Sequence, residues 1–240
     1  DRMAAHWQIS RQACDEYALR SQQLMEKAIQ SGFTGPEVVP YVIPAARKTP
    51  EQVLLKDEYP RPATTLEGLS QLRELNQGGV TTAGNSSGVN DGASFVLLMS
   101  AEHARECGYE PYARWVFGAS AGCRPDLMGI GASYASKKAL KACGLKLSDI
   151  DVWECNEAFA SQNLSCIKDL EKASGERIDM NRWNPNGGAI AIGHPNGASG
   201  TRIVWWAAHQ LELTGGRYAC VTSCCGGGQG TTVILENLRR

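Results

Sequence analysis

The chain has 240 residues, of which 42% are hydrophobic and 20% are charged, and its formal net charge at pH 7 is −1. These proportions are typical of a globular protein whose core is large enough to fold without disulfides or a structural metal. The near-zero net charge argues against binding to nucleic acid or to an anionic membrane through a general electrostatic field. The apolar runs, such as residues 95–99, are too short to span a membrane.

Two segments with different patterns precede residue 80. Residues 9–31 carry apolar positions at helical spacing, with Ser10 as a candidate N-cap and Gly32 after the last turn, which predicts a helix. Residues 33–66 are rich in proline and turn-forming residues, which indicates an irregular excursion over the surface. A short predicted helix within residues 66–75 closes this excursion.

From residue 80 onward, short apolar runs alternate with segments of helical periodicity. Alternation of this kind predicts a layered α/β domain with a mostly parallel sheet flanked by helices. The predicted strands are 94–100, 113–120, 150–155, 217–223 and 230–238, and the predicted helices are 101–108, 133–144, 158–175 and 197–213.

Nine cysteines are spread over the chain, with no C-x-x-C pair among them, and the four histidines are scattered. A zinc site needs closely spaced ligands, and a disulfide scaffold is typical of short secreted chains. Neither pattern is present. We therefore expect reduced thiols and no metal site.

Polar residues and glycines collect in three segments: 156–159 after the predicted strand 150–155, 184–200 in a long loop that leads into the predicted helix 197–213, and 223–230 after the predicted strand 217–223. Ligands of open α/β sheets bind at the carboxyl ends of strands. Each segment also has a structural interpretation: Asn156 could cap a helix, His194 could be an ordinary structural histidine, and the glycines could serve turns. These interpretations weaken if the three segments meet at one edge of the sheet.

The segment "SCCGGGQG" places two cysteines directly before three glycines, a pattern that several kinds of site could explain. A phosphate-binding loop is excluded, because no Gly-Lys-Ser/Thr is present and a strand follows. Glycines let backbone N–H groups approach a ligand oxygen closely. A thiol beside a histidine can act as nucleophile or base, which makes Cys224 or Cys225 the candidate.

The motifs "CNEAFASQ", "NGGAIAIGHPNGASG" and "CCGGGQGTTVILE", in this order, resemble those of the thiolases, the acetyl-CoA C-acyltransferases. "TTLEGLSQLREL" and "TTAGNSSGVNDGA" further upstream resemble the same family, so the resemblance spans nearly the whole chain. It implies a thiolase-like layered α/β fold. Residues 1–82 would be part of the CoA-binding loop domain, 83–112 a return segment into the core, and 113–240 the C-terminal thiolase domain.

The resemblance also implies roles for individual residues. Asn156 would hold a water that forms an oxyanion hole together with Nε2 of His194, which would also help activate a nucleophilic cysteine. Cys224 would move the α-proton of the acyl-CoA and protonate the leaving thiolate, which requires neighbours that lower its pKa towards neutrality. The N–H of Gly226 would contribute to a second oxyanion hole, and Cys225 would serve packing.

Coenzyme A and acyl-CoA are the implied substrates, with no metal and no further cofactor. Arg61 would lie near the adenine nucleotide, Ala83 and Ser87 along the pantetheine, and Ala158 and Phe159 beside the reacting end. The implied partners include a second copy of the chain, in a homodimer or tetramer. No nucleic acid partner and no membrane span are expected.

The family's acyl-accepting cysteine lies in an N-terminal turn that has no match here. We therefore expect that the chain lacks the N-terminal half with this nucleophile, is inactive alone, exposes apolar surface and needs a second chain. A cytoplasmic location is expected, with a mitochondrial or peroxisomal one left open because a targeting segment would precede Asp1.

The function implied is thiolytic cleavage of 3-ketoacyl-CoA or the reverse Claisen condensation, through an acyl-cysteine intermediate. The alternative is a catalytically incomplete module that binds CoA esters or dimerises. A ketosynthase ranks lower, because those enzymes use two histidines where this chain has Asn156 and His194.

Overall fold

The computed structural model describes residues 1–240. Its helices are α1 (Arg2–Trp7), α2 (Arg11–Gln30), α3 (Leu66–Ser70), α4 (Ala101–Glu106), α5 (Gly131–Cys143), α6 (Ala160–Ser174), α7 (Ala189–Ile192) and α8 (Ser199–Thr214). Its strands are β1 (Tyr41–Ile43), β2 (Gln52–Leu54), β3 (Ala113–Gly122), β4 (Val152–Cys155), β5 (Tyr218–Cys225) and β6 (Gln229–Asn237). The helices and strands predicted after residue 100 are confirmed, with ends that differ by a few residues.

The central sheet has four strands in the order β3–β6–β5–β4. β4 and β5 are parallel, whereas β6 is antiparallel to both β5 and β3. The α/β class is confirmed, but the pairing differs from the expected mostly parallel sheet, since only one of the three ladders is parallel. The reason is the short connection at residues 226–228, which can join β5 and β6 only as a hairpin.

Helices enclose this sheet on both faces. Cys220 and Ile234 pack in the cluster that contains residues of α5, whereas Ala219, Val221 and Leu235 pack in the cluster that contains residues of α8. Successive strand residues point to opposite sides of a sheet, so these two clusters lie on opposite faces. The carboxyl ends of β4 and β5 are therefore fixed between two helical layers.

Helix α2 is fixed to the C-terminal part of the chain by buried polar groups. It begins as predicted, with Ser10 Oγ accepting a hydrogen bond from Ala13 N at 3.1 Å. The buried hydroxyl of Tyr17 donates to Asn163 Oδ1 at 3.1 Å and accepts from Trp183 Nε1 at 3.2 Å. Buried polar groups that form hydrogen bonds with each other in this way fix one orientation of the helices that carry them.

The predicted buried strand at 94–100 is wrong. These residues form no ladder, and Phe95 and Leu97 expose 91% and 73% of their surface. An apolar run becomes a strand only where a neighbouring strand exchanges backbone hydrogen bonds with it, and no strand lies beside this segment. The exposed apolar surface expected from the sequence is present here and on β3, where Trp115 exposes 49%.

The segment 33–66 is largely irregular, as predicted, although β1 and β2 form a short antiparallel hairpin within it. The division of the chain at residues 82 and 112 stays a prediction. None of the helices combines the length and the hydropathy that crossing a membrane requires.

Candidate active site

Asn156 directly follows β4, at the carboxyl end of the parallel pair of strands. Its backbone N–H donates to Thr222 O at 2.9 Å, so the ladder with β5 extends one residue beyond β4. The residue is 2% exposed. A capping role is not observed, because Phe159 occupies the N-cap position of α6. The side chain of Asn156 is therefore available for other contacts within the protein.

His194 lies in the loop between α7 and α8, where its backbone N–H donates to Gly88 O at 2.8 Å. Nδ1 is 2.7 Å from Ser199 Oγ, and that hydroxyl donates to Pro195 O at 3.4 Å. Ser199 thus holds the imidazole through Nδ1, and Nε2 faces the side-chain amide of Asn156. Nε2 is 3.4 Å from Asn156 Nδ2, which donates to it.

The surroundings of His194 favour the uncharged imidazole. Burial lowers its pKa, and the guanidinium of Arg202 lowers it further. Asn156 Oδ1 is buried and has no hydrogen-bond partner within the protein. The pair thus offers a basic nitrogen and a free amide oxygen side by side, and both can bind a water or a substrate group.

Cys224 lies near the end of β5, where it pairs with Gly230 of β6. Asn156 is bonded to Thr222, two residues before Cys224, and neighbouring strands are about 4.8 Å apart. The thiol and the amide therefore belong to one edge of the sheet. No direct hydrogen bond joins Cys224 to His194, whose ring nitrogens contact Asn156 and Ser199.

The ionisation of Cys224 differs from the expectation. Burial raises its pKa to about 12, with smaller upward contributions from Cys166 and Cys225. Its titratable neighbours are thiols rather than cations, and a backbone hydrogen bond that lowers the pKa does not offset the effect of burial. At neutral pH the residue is a protonated thiol, which is the form that a general acid requires.

Gly226 opens the turn between β5 and β6. Its N–H makes no hydrogen bond within the protein, and the residue is exposed. Gly227 and Gly228 have φ of +84° and +92°, a region that residues with a side chain rarely adopt. The turn is anchored by Cys123 N, which donates to Gly228 O at 2.8 Å. The N–H of Gly226 is therefore free to donate to a ligand oxygen.

Two cavities contain most of the residues expected to bind CoA. Arg61 and Ala83 line a cavity of about 570 Å³, and Phe159 lines a second cavity of about 390 Å³ together with Cys224. Ser87 and Ala158 line neither cavity but contact each other, since Ser87 N and Ser87 Oγ both donate to Ala158 O at 3.1 Å. The larger cavity is also lined by Gln22, Tyr59, Pro60, Leu69, Leu72 and Ile190, and the smaller one by Met3, Leu75, Asp126, Met128, Ser161 and Gln162.

Glu157 was not among the candidate residues, although it is central to the site's construction. It is fully buried, and its Oε2 accepts hydrogen bonds from Ser21 Oγ at 2.6 Å and from Ile190 N at 3.3 Å. Its Oε1 accepts from Asn184 Nδ2 at 3.1 Å. The signal that could have identified Glu157 was its position: it is a carboxylate next to Asn156, in a motif that the sequence analysis had already selected.

No group of three or more His, Cys, Asp or Glu side chains is arranged to hold a metal ion. All nine cysteines are free thiols: Cys14, Cys107, Cys123, Cys143, Cys155, Cys166, Cys220, Cys224 and Cys225. The site thus consists of a neutral thiol, a neutral imidazole, a carboxamide and free backbone N–H groups, which is a set suited to acid–base chemistry at a carbonyl group.

Comparison with known proteins identifies the class to which this fold and this site belong. Residues 109–237 match the family model described as the thiolase C-terminal domain, and residues 1–102 match the model described as the thiolase N-terminal domain. The chain belongs to the thiolase family.

Individual relatives agree with this assignment. The chain is 46% identical over 239 residues to the β-ketoadipyl-CoA thiolase of Pseudomonas aeruginosa. It is 42% identical over 238 residues to the human mitochondrial 3-ketoacyl-CoA thiolase. Each alignment covers 99% of this chain and 58% of the relative. The crystal structure of the Bacillus anthracis acetyl-CoA acetyltransferase matches with a TM-score of 0.92 at 40% identity, over 98% of this chain and 58% of that one. Human mitochondrial 3-ketoacyl-CoA thiolase in complex with CoA matches with a TM-score of 0.85 at 41% identity, over 98% of this chain and 57% of that one.

These matches correct one expectation. The chain spans 58% of the length of these curated relatives. Residues 1–102 nevertheless belong to the thiolase N-terminal domain, so the expectation that the N-terminal half with its nucleophile is missing is not supported. The first hundred residues showed no motif resembling the nucleophile turn, and the absence of one motif was a poor guide to the domain as a whole.

Proposed function

We propose that this protein is an acyltransferase of the thiolase type, which acts on CoA thioesters by thiolytic cleavage of a 3-ketoacyl-CoA or by the reverse Claisen condensation. The observation that carries the proposal is the contact between Asn156 and His194, 3.4 Å apart at the sheet edge that also holds Cys224. The names of the relatives, which are thiolases and an acetyl-CoA acetyltransferase, support the same reaction class.

In the proposed reaction, negative charge develops on a thioester oxygen or on an enolate. A nucleophilic cysteine attacks the thioester carbon and gives its proton to Nε2 of His194, and the bond to the CoA sulfur breaks. Protonated Nε2 and a water held by Asn156 then donate hydrogen bonds to one such oxygen, and the N–H of Gly226 donates to a second. A donor placed in advance at such an oxygen stabilises the transition state by roughly 3–4 kcal/mol. The water held by Asn156 and the N–H of Gly226 are uncharged donors, whereas Nε2 of His194 donates only after it has taken up a proton.

Cys224 serves as the acid–base group in this proposal. Its buried thiol protonates the departing thiolate, and the thiolate of Cys224 that results removes the α-proton of the next acyl-CoA. The balance is one proton given and one proton taken in each cycle. The high pKa of the resting thiol, about 12, keeps it protonated before reaction and makes its thiolate a strong base for the α-proton. A positioned acid or base of this kind accelerates a reaction by roughly 10²–10⁴-fold.

CoA is proposed to lie along the larger cavity, with Arg61 at the nucleotide end and Ala83 and Ser87 along the pantetheine. Ala158 and Phe159 would contact the reacting end. Two observations support this path: Arg61 and Ala83 share one cavity, and Phe159 shares the other with Cys224. The structure of a relative in complex with CoA makes CoA the ligand to test first.

The proposal is tested by deuterium exchange at the α-carbon of acetyl-CoA in D₂O, followed by mass spectrometry. We expect Cys224→Ala to reduce the exchange rate by roughly 10²-fold or more, because no other group replaces the thiol as base. Cys225→Ala is the matched control, since it removes the adjacent thiol, and it should retain most of the rate. Undiminished exchange in the Cys224→Ala protein would contradict the assigned role.

The same samples test the alternative. A chain that binds acetyl-CoA but shows no exchange, even without substitution, would be a CoA-ester-binding module and not an acyltransferase.

The exposed apolar residues Phe95, Leu97 and Trp115 support assembly into a homodimer or tetramer, which sedimentation velocity can measure. A cytoplasmic location is kept as a proposal, for cell fractionation to test.

A further inference from the structure

Glu157, the residue after Asn156, buries its carboxyl group completely within the protein. Both of its oxygens accept hydrogen bonds: Oε1 from Asn184 Nδ2 at 3.1 Å, and Oε2 from Ser21 Oγ at 2.6 Å and from Ile190 N at 3.3 Å. Removing a polar group from water costs free energy unless the group forms such bonds. The three donors therefore hold the carboxyl group in one position, and the carboxyl group in turn constrains the segments that carry the donors.

The bond to Asn184 connects Glu157 with the backbone beside Asn156. Asn184 Nδ2 also donates to Cys155 O, and Asn184 Oδ1 accepts from Cys155 N, both at 2.8 Å. The side chain of Asn184 is thus bonded to both backbone polar groups of the residue that precedes Asn156. Since Glu157 itself follows Asn156, the residues on both sides of Asn156 belong to one hydrogen-bonded unit. This unit limits how far the amide of Asn156 can move.

The bonds at Oε2 connect Glu157 with the segment that leads to His194. The first N–H groups of a helix have no partners within it, and Ile190 N, near the start of α7, donates to Glu157 instead. Gly188 N, directly before α7, donates to Ser21 Oγ at 3.2 Å, and this hydroxyl donates to Glu157. The carboxyl group packs directly on this backbone, because a Cβ at Gly188 would lie 2.6 Å from Glu157 Cδ. The start of α7 is therefore fixed, and α7 ends two residues before His194.

We propose that Glu157 is a positioning residue of this site: its two oxygens join the segments that carry Asn156 and His194 and so set the contact between these two side chains. The contact is 3.4 Å long, from Asn156 Nδ2 to His194 Nε2. The inference rests on the proposed acyl transfer, in which a water on Asn156 and Nε2 of His194 act on the same thioester oxygen. A misplacement of about 1 Å in such an arrangement can reduce a reaction rate by about 10²-fold.

Glu157→Gln tests the proposal with a side chain of nearly the same size. A glutamine has one oxygen and one NH₂ group, so in either orientation the NH₂ group faces a donor, Asn184 Nδ2 or Ile190 N. Neither donor can reverse its role, because Cys155 fixes the amide of Asn184 and Ile190 donates from the backbone. We therefore expect one of the two segments to move away from the amide that replaces the carboxyl group.

NMR of the chain labelled with ¹⁵N-histidine, without substrate, reports on the hydrogen bond at each ring nitrogen of His194. We expect Glu157→Gln to shift these signals in the same direction as Asn156→Ala, which removes the amide itself. Asn237→Ala is the matched control, because it removes an amide that donates two buried hydrogen bonds at 2.9 Å at the opposite end of the sheet. It should lower the unfolding temperature and leave the His194 signals unchanged. Unchanged signals in folded Glu157→Gln protein would overturn the proposal.

The rate of α-proton exchange adds a readout that a loss of stability alone would not move. Glu157→Gln should lower kcat by roughly 10- to 10²-fold in the otherwise unsubstituted chain. When Asn156 is already replaced by alanine, the same substitution should lower kcat by less than about threefold, because the contact that Glu157 positions is then absent. An equal loss in both backgrounds would show that Glu157 serves stability alone and would refute the proposal.

Ser21→Ala covers the case in which Glu157→Gln does not fold. It removes the hydroxyl that joins Gly188 N to Glu157 Oε2 and leaves the other two donors to the carboxyl group in place. We expect a smaller shift of the His194 signals in the same direction. No shift, or a shift in the opposite direction, would contradict the positioning role.

The two measurements separate this inference from the proposed function, since the NMR signals need no substrate. If the His194 signals shift as expected while Cys224→Ala retains exchange, the acid–base assignment fails and the positioning role of Glu157 stands. If exchange depends on Cys224 but Glu157→Gln leaves the His194 signals unchanged, the proposed function stands and the positioning role fails.

Discussion

Gly230 of β6 and Gly131 at the start of α5 make the closest backbone contact around the site. A Cβ built on Gly230 would lie 2.0 Å from the carbonyl carbon and oxygen of Gly131. Non-bonded carbons approach favourably only to about 3.5–4.0 Å. Because the obstructing atoms belong to the backbone, they cannot rotate away. Gly230→Ala therefore requires the strand or the helix to move by roughly 1.5 Å.

The expected effect reaches both stability and activity. Overpacking typically costs about 1–3 kcal/mol, and a clash with a helix backbone belongs at the upper end of this range. For a chain of this length, about 3 kcal/mol corresponds to an unfolding temperature roughly 6–12 °C lower. Gly230 also pairs with Cys224, so the movement displaces the thiol, and a misplacement of about 1 Å can reduce a reaction rate by about 10²-fold.

Thermal unfolding followed by circular dichroism, together with the α-proton exchange assay, measures both effects. Gly200→Ala is the matched control, because a Cβ on this helical glycine meets nothing within 4 Å. It should leave stability unchanged or raise it by up to about 1 kcal/mol. If Gly230→Ala unfolds at the temperature of the unsubstituted chain and exchanges at the same rate, the close contact with α5 does not exist in solution.

Two further predictions concern buried polar groups. Tyr17→Phe removes the hydroxyl that bonds to Asn163 and Trp183, and it should reduce the free energy of unfolding by about 1–3 kcal/mol in urea; a loss below about 0.5 kcal/mol would show that the network contributes little. The raised pKa of Glu37, about 7, means that the folded state binds a proton more tightly than the unfolded state. Its contribution to stability is therefore fully present below about pH 4.5, declines as the pH rises, and is lost above about pH 7. Comparison of the unsubstituted chain with Glu37→Gln by urea unfolding from pH 4 to 8 should show a steeper decline in the former, by roughly 1–3 kcal/mol over this range, and parallel pH profiles would contradict the assignment.

The elements that could be predicted are those whose signals are local. Ser10 caps α2 because a serine side chain can accept from the backbone three residues ahead, whatever the rest of the chain does. The motifs around Asn156 and Cys224 lie at strand ends, as expected, whereas His194 lies in the loop before α8. Their convergence on one edge follows from the alternation of strands and helices, which is visible in the sequence.

The predictions that failed depend on interactions between segments that are distant in the sequence. Residues 94–100 have the composition of a strand, but a strand exists only where a partner completes its hydrogen bonds. The neighbours that Cys224 would need for a lowered pKa are also not found, since the shift depends on how many atoms exclude water from the thiol and on which charges are close. In the folded chain the close groups are thiols, and burial is the larger effect.

The amino-acid sequence by itself determined the α/β class, the positions of most helices and strands, and the residue types that the site uses, because periodicity, caps and motif order are properties of neighbouring residues. Only the tertiary structure decided that β6 runs antiparallel to β5, that Nδ1 of His194 contacts Ser199, and that Arg202 and Glu157 belong to the site's surroundings. The physical reason is that strand pairing, hydrogen-bond partners and desolvation arise from groups far apart in the chain, and these come together only when it folds.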